Sequence, residues 1–313
     1  MNQKFINEVT DALNAAVKTG TLTGWSLNAT ESRSLQRLYS SPDGATLHCH
    51  QSRRVEGEDY KLSVYTPSEK EGLVGTSMID LVTYLPVTEQ IDNAVSLAAC
   101  SQNKKWTLAK PPAEEPARVE TCDPNVRDHP EEVAAEIEKK FSSAFAETEG
   151  CALNSAELFV NYSISARTNS EGLAYETELS ELYLEAAMEK AGQENDKEVH
   201  EHTTSVTVAD LNVKNFINEC ALQVATLGDS AEPNTQDNAT ILIEKDALSQ
   251  MLDALLSQLN CQNEYIKIPF LNIGDTFGGG DGDPLHLSLD PTIPCMVLSS
   301  AYAIDGLPAR AER

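Results

Sequence analysis

The sequence has no run near the ~20 consecutive apolar residues that a bilayer-spanning helix needs. Its opening, "MNQKFINEVTDALNAAVKTG", lacks the apolar core of a signal peptide. A cytoplasmic protein is therefore expected, and the N-x-S/T triplets at Asn28, Asn161 and Asn238 carry no meaning without secretion. Positive charge is scarce: 23 Lys and Arg stand against 49 Asp and Glu, a formal net charge of -26. Such a surface repels a phosphate backbone, so neither nucleic acid nor membrane is expected as a partner. No CxxC pair occurs. The seven cysteines (Cys49, Cys100, Cys122, Cys151, Cys220, Cys261, Cys295) lie far apart and read as small apolar residues. A Walker P-loop and a G-x-S-x-G nucleophile elbow are both missing.

What is present is enough apolar material, 41% of 313 residues, for a sizeable core. The opening stretch puts Phe5, Ile6, Val9, Leu13 and Val17 on one helical face, with Gly20 as a C-cap. "GWSLNAT", "SRSLQRLYS", "ATLHCHQSRRV" and "DYKLSVYT" alternate as strands of an antiparallel meander, with turns expected at "SSPDG" and "EGED". "EGLVGTSMID" is a further short strand, and "VTEQIDNAVSLAACSQNKKW" has helical spacing. A linker with Pro111, Pro112 and Pro116 follows. Beyond it, Asp128 and Pro130 open a helix carrying Val133, Ile137, Phe141 and Phe145. Residues 156–187 read as a hairpin with "TNSEG" at an exposed tip, because Tyr175, Thr177, Leu179 and Tyr183 alternate with mostly charged neighbours. "KEVHEHTTSVTV" is another strand, and Val213, Phe216, Ile217, Cys220 and Val224 mark an amphipathic helix. "ILIEKDALSQMLDALLSQLN" then reads as a buried strand running into a helix over 246–259.

That last junction is a common mount for catalytic groups, yet its helix has no His or Cys and, past Asp246 at its start, offers only Asp253. Elsewhere, His48 and His50 flank Cys49, and His200 and His202 flank Glu201. Pairs two apart on a strand share a face and could ligate a metal, but neither pair has a third ligand at metal-binding spacing. Ordinary half-exposed strand residues are the expectation for both. "GGGDGDP" (Gly278 to Pro284) fails the calcium-repeat pattern, since Pro284 stands where the last Asp belongs, and it lacks the EF-hand series. Asp80 and Asp92 have no evident carboxylate partner. No residue is assigned to catalysis or to metal, and the substrate-binding residues stay unassigned.

Several stretches together resemble one family. "ESRSLQRLY" and "QSRRVEGEDYKLSVYTPSEKEGLVGTSMID" resemble the N-terminal domain of the TldD/PmbA (TldE) family, also called "modulator of DNA gyrase". "IDNAVSLAACSQNKKWTLAKPP" is similar to that domain's closing helix and Pro-rich exit. "TNSEGLAYETELSELYLEA" resembles its middle domain, where an N-S-x-G turn joins two long strands, and "SVTVADLNVKNFINECALQVATLGDSAEP" resembles the helix that follows. "GDPLHLSLDPTIPCMVLSSAYAIDGLPARAER" is similar to the C-terminal segment, retaining Asp305, Gly306, Pro308 and Arg310 but lacking one Glu. The order is that of the family along nearly the whole chain.

The resemblance implies an α+β fold of antiparallel sheets with packed helices. It divides the chain into an N-terminal domain over residues 1–110, a middle α+β domain over 120–232 and a partial C-terminal domain over 238–313. Family members run on well past this point, so that third domain is expected to be incomplete. TldD-type subunits carry an HExxxH zinc motif on a helix just after a strand; PmbA/TldE-type subunits lack it. Here the matching positions are Leu252 to Ser257, "LDALLS". The resemblance thus implies a non-catalytic subunit of a heteromeric zinc metalloprotease acting in peptide maturation and on unfolded peptides. Its expected partner is a TldD-type HExxxH chain, which would hold the zinc, or a second copy of itself. Two alternatives stand beside it: a degenerate peptide- or protein-binding paralogue, and a metalloprotease chain whose zinc ligands lie outside this sequence.

Overall fold

The computed structural model describes residues 1–41, 46–192, 198–228, 238, 240–243, 245–268, 272, 274–275, 278 and 286–311. Two compact units are present, one formed by Met1–Ser230 with Ser288–Arg313 and one by Ala231–Leu287.

The first unit is organised by a seven-stranded, wholly antiparallel sheet. Helix α1 (Gln3–Lys18) starts where the Asn2 side chain accepts the Phe5 N–H, and Gly20 at φ 79° takes the chain out of it. Strands β1 (Gly24–Ser40), β2 (His48–Thr66) and β3 (Leu73–Leu81) follow, then helix α2 (Val87–Cys100) and the short β4 (Gln102–Lys104). After the linker come α3 (Pro124–Asp128), α4 (Pro130–Ala146), β5 (Cys151–Asn169), β6 (Ala174–Lys190), β7 (Glu198–Ser205) and α5 (Val213–Gly228). The strand order is β4-β3-β2-β1-β5-β6-β7. Residues before and after the linker therefore contribute to one sheet, joined where β1 pairs with β5.

The break expected at "EGED" does not occur. Glu56 to Asp59 run straight through β2, each in register with β1, with Gly57 opposite Ser32. A glycine can stay in a strand when both neighbours hold the ladder, so the strands are twice as long as the alternation suggested. Of "SSPDG", Pro42 to Gly44 lie outside the described residues. Asp128 does not cap the next helix: Asp123 caps the one-turn α3, and Asp128 instead pairs with Arg127 at 2.9 Å.

The helices of this unit cover one sheet face. On β1 the odd-numbered Trp25, Leu27 and Ala29 enter a core with α1 and α2, built on Val9, Leu13, Ile91 and Ala94. Further along, Leu35 and Tyr39 enter a second core with α4 and α5, built on Ile137, Phe141, Leu182, Leu184 and Ile217. Since odd residues of one strand share a face, both helical layers lie on the same side. α4 is also tied to the sheet by charge. Arg37 bonds Glu138 at 2.7 Å and Glu131 at 2.8 Å, and Arg54 reaches Glu131 at 2.6 Å.

The second unit holds α6 (Lys245–Leu256), a 3-10 turn (Ser257–Leu259) and α7 (Cys261–Ile266). The helix expected over 246–259 is present, but the strand before it is not formed among the described residues 240–243. Leu242 there is 90% exposed. A strand exists only by pairing its backbone, and these residues pair with no strand among the described residues.

Candidate functional site

The sheet face opposite the helices is set by the even residues of β1 and the odd residues of β5 and β6. Register aligns Ser34, Asn161 and Glu181 across three strands, and Gln36, Phe159 and Tyr183 across the next row. A polar face with aromatic islands results, a consequence of strict two-residue alternation. On its β3 side, Lys61 meets Asp80 at 3.1 Å, which gives that aspartate a basic partner in place of a second carboxylate. Asp92 lies exposed on α2.

The densest polar grouping on this face lies across β6 and β7. Tyr183 donates its hydroxyl to Glu185 Oε2, and His200 Nε2 sits 2.9 Å from Glu185 Oε1. His202 stacks on the Tyr183 ring with centroids 5.4 Å apart and planes at 19°. Phe159 meets the other side of Tyr183 edge-on at 5.6 Å. Burial pushes the Glu185 carboxyl up, but the hydrogen bonds from Tyr183 and His200 outweigh it and hold it below the usual carboxylate range. Burial and the same bond push the Tyr183 phenol up to about 12. His200 and His202 thus share a face, as their spacing requires, but each already has a different neighbour. Among the described residues no group of three His, Cys, Asp or Glu is arranged to hold a metal.

His48 and His50 are exposed at the start of β2. Leu38 pairs with Gln51 and Tyr39 with Cys49, so His50 is the extra residue of a bulge and the alternation is interrupted there. Its Nδ1 is 3.4 Å from Ser40 Oγ. "GGGDGDP" lies outside the described residues apart from Gly278.

The helix that raised the zinc question, α6, carries "KDALSQMLDALL". Asp253 is exposed on it, and Leu252, Leu255 and Leu256 are half-buried. A zinc site needs imidazole, thiolate or carboxylate ligands converging from one face. A helix with neither His nor Cys and one mid-helix carboxylate does not fit the metal.

The residues of "AIDGLPAR" serve structure. Asp305 Oδ1 accepts the Leu307 N–H at 3.0 Å, and Gly306 turns at φ 89°. Tyr302 bridges to Pro308 and stacks on Tyr175 at 4.0 Å. A Cβ on Gly306 would lie 2.3 Å from Leu173 Cδ2, so a side chain there would push the buried Leu173 aside where the turn seats against the β5–β6 hairpin.

The hairpin tip is held from a second direction. Asn169 Oδ1 accepts the N–H groups of Glu171 and Leu173, and its Nδ2 donates to Ala109 of the linker at 2.7 Å. Asn169 is therefore buried where an exposed tip was expected; only Glu171 and Gly172 face solvent.

No protein-family model matches the chain, and no curated protein matches it. Solved structures do. A proposed modulator of DNA gyrase from Thermotoga maritima has a TM-score of 0.71 at 16% identity, over 98% of this chain and 68% of that one. A second such protein, from Bacteroides thetaiotaomicron, has a TM-score of 0.73 at 15% identity, over 100% and 69%. TldE from Thermococcus kodakarensis has a TM-score of 0.70 at 12% identity, over 97% and 66%. The chain has the TldD/PmbA fold. Within that fold, the hairpin turn at Asn169 and the Gly306 turn are adjoining structural fixtures, joined through Leu173 and the stacked tyrosines. The Tyr183–Glu185–His200 grouping has no signature in the sequence, because cross-strand register, not spacing, brings it together. Among the described residues no helix is long and apolar enough to cross a membrane.

Proposed function

We propose that this chain is a non-catalytic, PmbA/TldE-like subunit of a heteromeric zinc metalloprotease that acts on peptides or unfolded proteins. The observation that carries the reading is the composition of α6. In the TldD type the corresponding helix bears HExxxH, and here it has no His or Cys, its only carboxylates being Asp246 in the first turn and Asp253. Likeness in fold to a TldE supports the same side of the family. Peptide hydrolysis at neutral pH needs a metal-activated water, an activated nucleophile or a paired acid and base. A TldD-type HExxxH partner would bring the zinc. This chain would bring walls of the chamber and strand edges for an extended substrate, which binds such edges through its backbone.

The test is co-purification with an HExxxH protein of the same organism, followed by digestion of an unfolded test peptide. The chain alone should leave the peptide intact, and the mixture should cut it. Asp253→Asn should change that cutting little, while loss of the partner's HExxxH glutamate should abolish it. Metal-dependent cleavage by this chain alone would overturn the reading. Failure to associate with any HExxxH protein would favour the paralogue that only binds. The purified chain should also hold no stoichiometric zinc by elemental analysis; one tight zinc per chain, lost on replacing His200 and His202, would count against the assignment.

A further inference from the structure

Sheet edges attract other strands, and most folds blunt them with short strands, lysine, proline, bulges or a covering segment. This sheet blunts one edge and part of the other. At one side β4 is three residues long and ends in Lys104, with Lys105 next; Thr76 beside it donates its N–H to Ser101 at 2.9 Å. At the other side, the first half of β6 is covered by the linker. Ser180 donates its N–H to Thr121 at 2.9 Å, Thr121 Oγ1 donates to Glu178, and Asp123 N–H reaches Ser180 Oγ. The linker is covered in turn where Cys295 donates to Glu120.

β7 is treated differently. It pairs with β6 in unbroken register, from Leu182↔Ser205 to Glu189↔Glu198, and it ends the sheet. "EVHEHTTS" contains no lysine, proline, glycine or bulge. Among the described residues, no backbone bond outside the sheet reaches 198–204. Among the described residues, an eight-residue regular edge is thus left with its outward N–H and C=O groups unpaired.

We propose that β7 is a docking edge for an extended polypeptide segment bearing Lys or Arg at alternate positions. The backbone supplies the attachment, and charge selects the occupant. β6 and β7 carry seven glutamates, five on the first and two on the second, against one lysine. On the open face, alternate side chains of an added strand would run beside His200, His202 and Thr204. There the stacked Tyr183–His202 pair offers a flat π surface to a guanidinium and Glu185 offers a carboxylate. A second copy of this chain fits poorly, because its β7 offers glutamates and no lysine or arginine, and two molecules of net charge -26 repel one another. The proposal rests on the peptide-binding part of the function given above. It is measured on this chain alone, so its failure leaves the co-purification result standing, and the reverse also holds.

The probe is a short labelled peptide of alternating lysine and valine, followed by fluorescence anisotropy at low salt. It should bind, and its glutamate–valine counterpart should not. The same lysine peptide with alternate backbone nitrogens methylated keeps every side chain but loses one hydrogen-bonding edge. It should bind about tenfold more weakly or worse, a difference of about 1.4 kcal/mol. Thr204→Lys, at an exposed position, should weaken the lysine peptide, and amide exchange should slow across 198–205 on binding. Equal binding of the methylated peptide would overturn the proposal in favour of a non-specific acidic surface. Protection mapping elsewhere would overturn it too, as would a β7-dependent dimer that Thr204→Lys dissociates.

Discussion

Asn169 makes three hydrogen bonds with one amide, two accepted from its own turn and one donated to the distant Ala109. Asn169→Ala would strand the buried Leu173 N–H and the linker carbonyl, so we expect a loss of about 2–4 kcal/mol, read from the urea midpoint. The turn itself was legible as N-S-x-G, since asparagine and glycine favour such corners. Its burial was not, because the covering residue lies 60 positions away. Gly306 is the complementary case. Its φ of 89° and its contact with Leu173 both disfavour a side chain, so Gly306→Ala should cost about 1–3 kcal/mol in the same measurement. An unchanged midpoint would mean that the Tyr302–Tyr175 contact contributes nothing to the fold. The cysteines divide by burial. Burial pushes the Cys220 thiol up to about 12, whereas Cys49 and Cys100 are exposed. A maleimide should therefore label Cys49 and Cys100 in the native protein and Cys220 only after unfolding.

At the scale of elements, period decided what could be read. The helices α1, α2, α4 and α5 were legible because their apolar residues recur every three or four positions and face a sheet. Strand existence was legible and strand length was not. "EGED" looks like a turn, and only its pairing with β1 makes it a strand. Likewise the apolar "ILI" at 241–243 reads as a strand but pairs with no strand among the described residues. The attachment of α4 combines apolar and charged contacts. Phe141 is almost wholly buried against Tyr39 and Phe145, so Phe141→Ala should cost about 3–5 kcal/mol. Arg54 and Arg37 hold the Glu131 carboxyl below its ordinary range, and Tyr183 and His200 do so for Glu185. A carboxyl with a lowered folded pKa binds fewer protons when folded than when unfolded. It stabilises above the unfolded value, about 4.3 for Glu, and loses that contribution as pH falls through the folded value. The urea midpoint should therefore change little through these groups from pH 7 down to about 5 and fall below about 4. Glu131→Gln combined with Glu185→Gln should flatten that acid limb, and an unchanged limb would assign it to other carboxyls.

The charge of the whole molecule was the one global property fully readable from composition, and it has a consequence that no contact reveals. At -26, carboxylates outnumber basic groups by more than two to one, so most of them repel one another across the surface. The ion pairs identified are local: Arg37 with α4, Lys61 with Asp80, Lys214 with Glu147. Exposed pairs of this kind each contribute little and weaken with salt. Two terms of opposite sign therefore respond to ionic strength. Screening of the repulsion stabilises the compact state, and screening of the pairs destabilises it. The imbalance of charge decides which prevails, and here repulsion outnumbers attraction. Raising sodium chloride from about 0.01 M, where the screening length is about 30 Å, to about 1 M, where it is about 3 Å, should raise the thermal midpoint. Differential scanning calorimetry at fixed pH 7 checks this, with potassium chloride as a control for a specific sodium effect. The same titration at about pH 4, where carboxylates begin to protonate and repulsion fades, should show a smaller rise. A midpoint that falls with salt at pH 7 would mean that the local pairs outweigh the global repulsion. The acidic surface would then stabilise the folded chain through its pairings instead of opposing it.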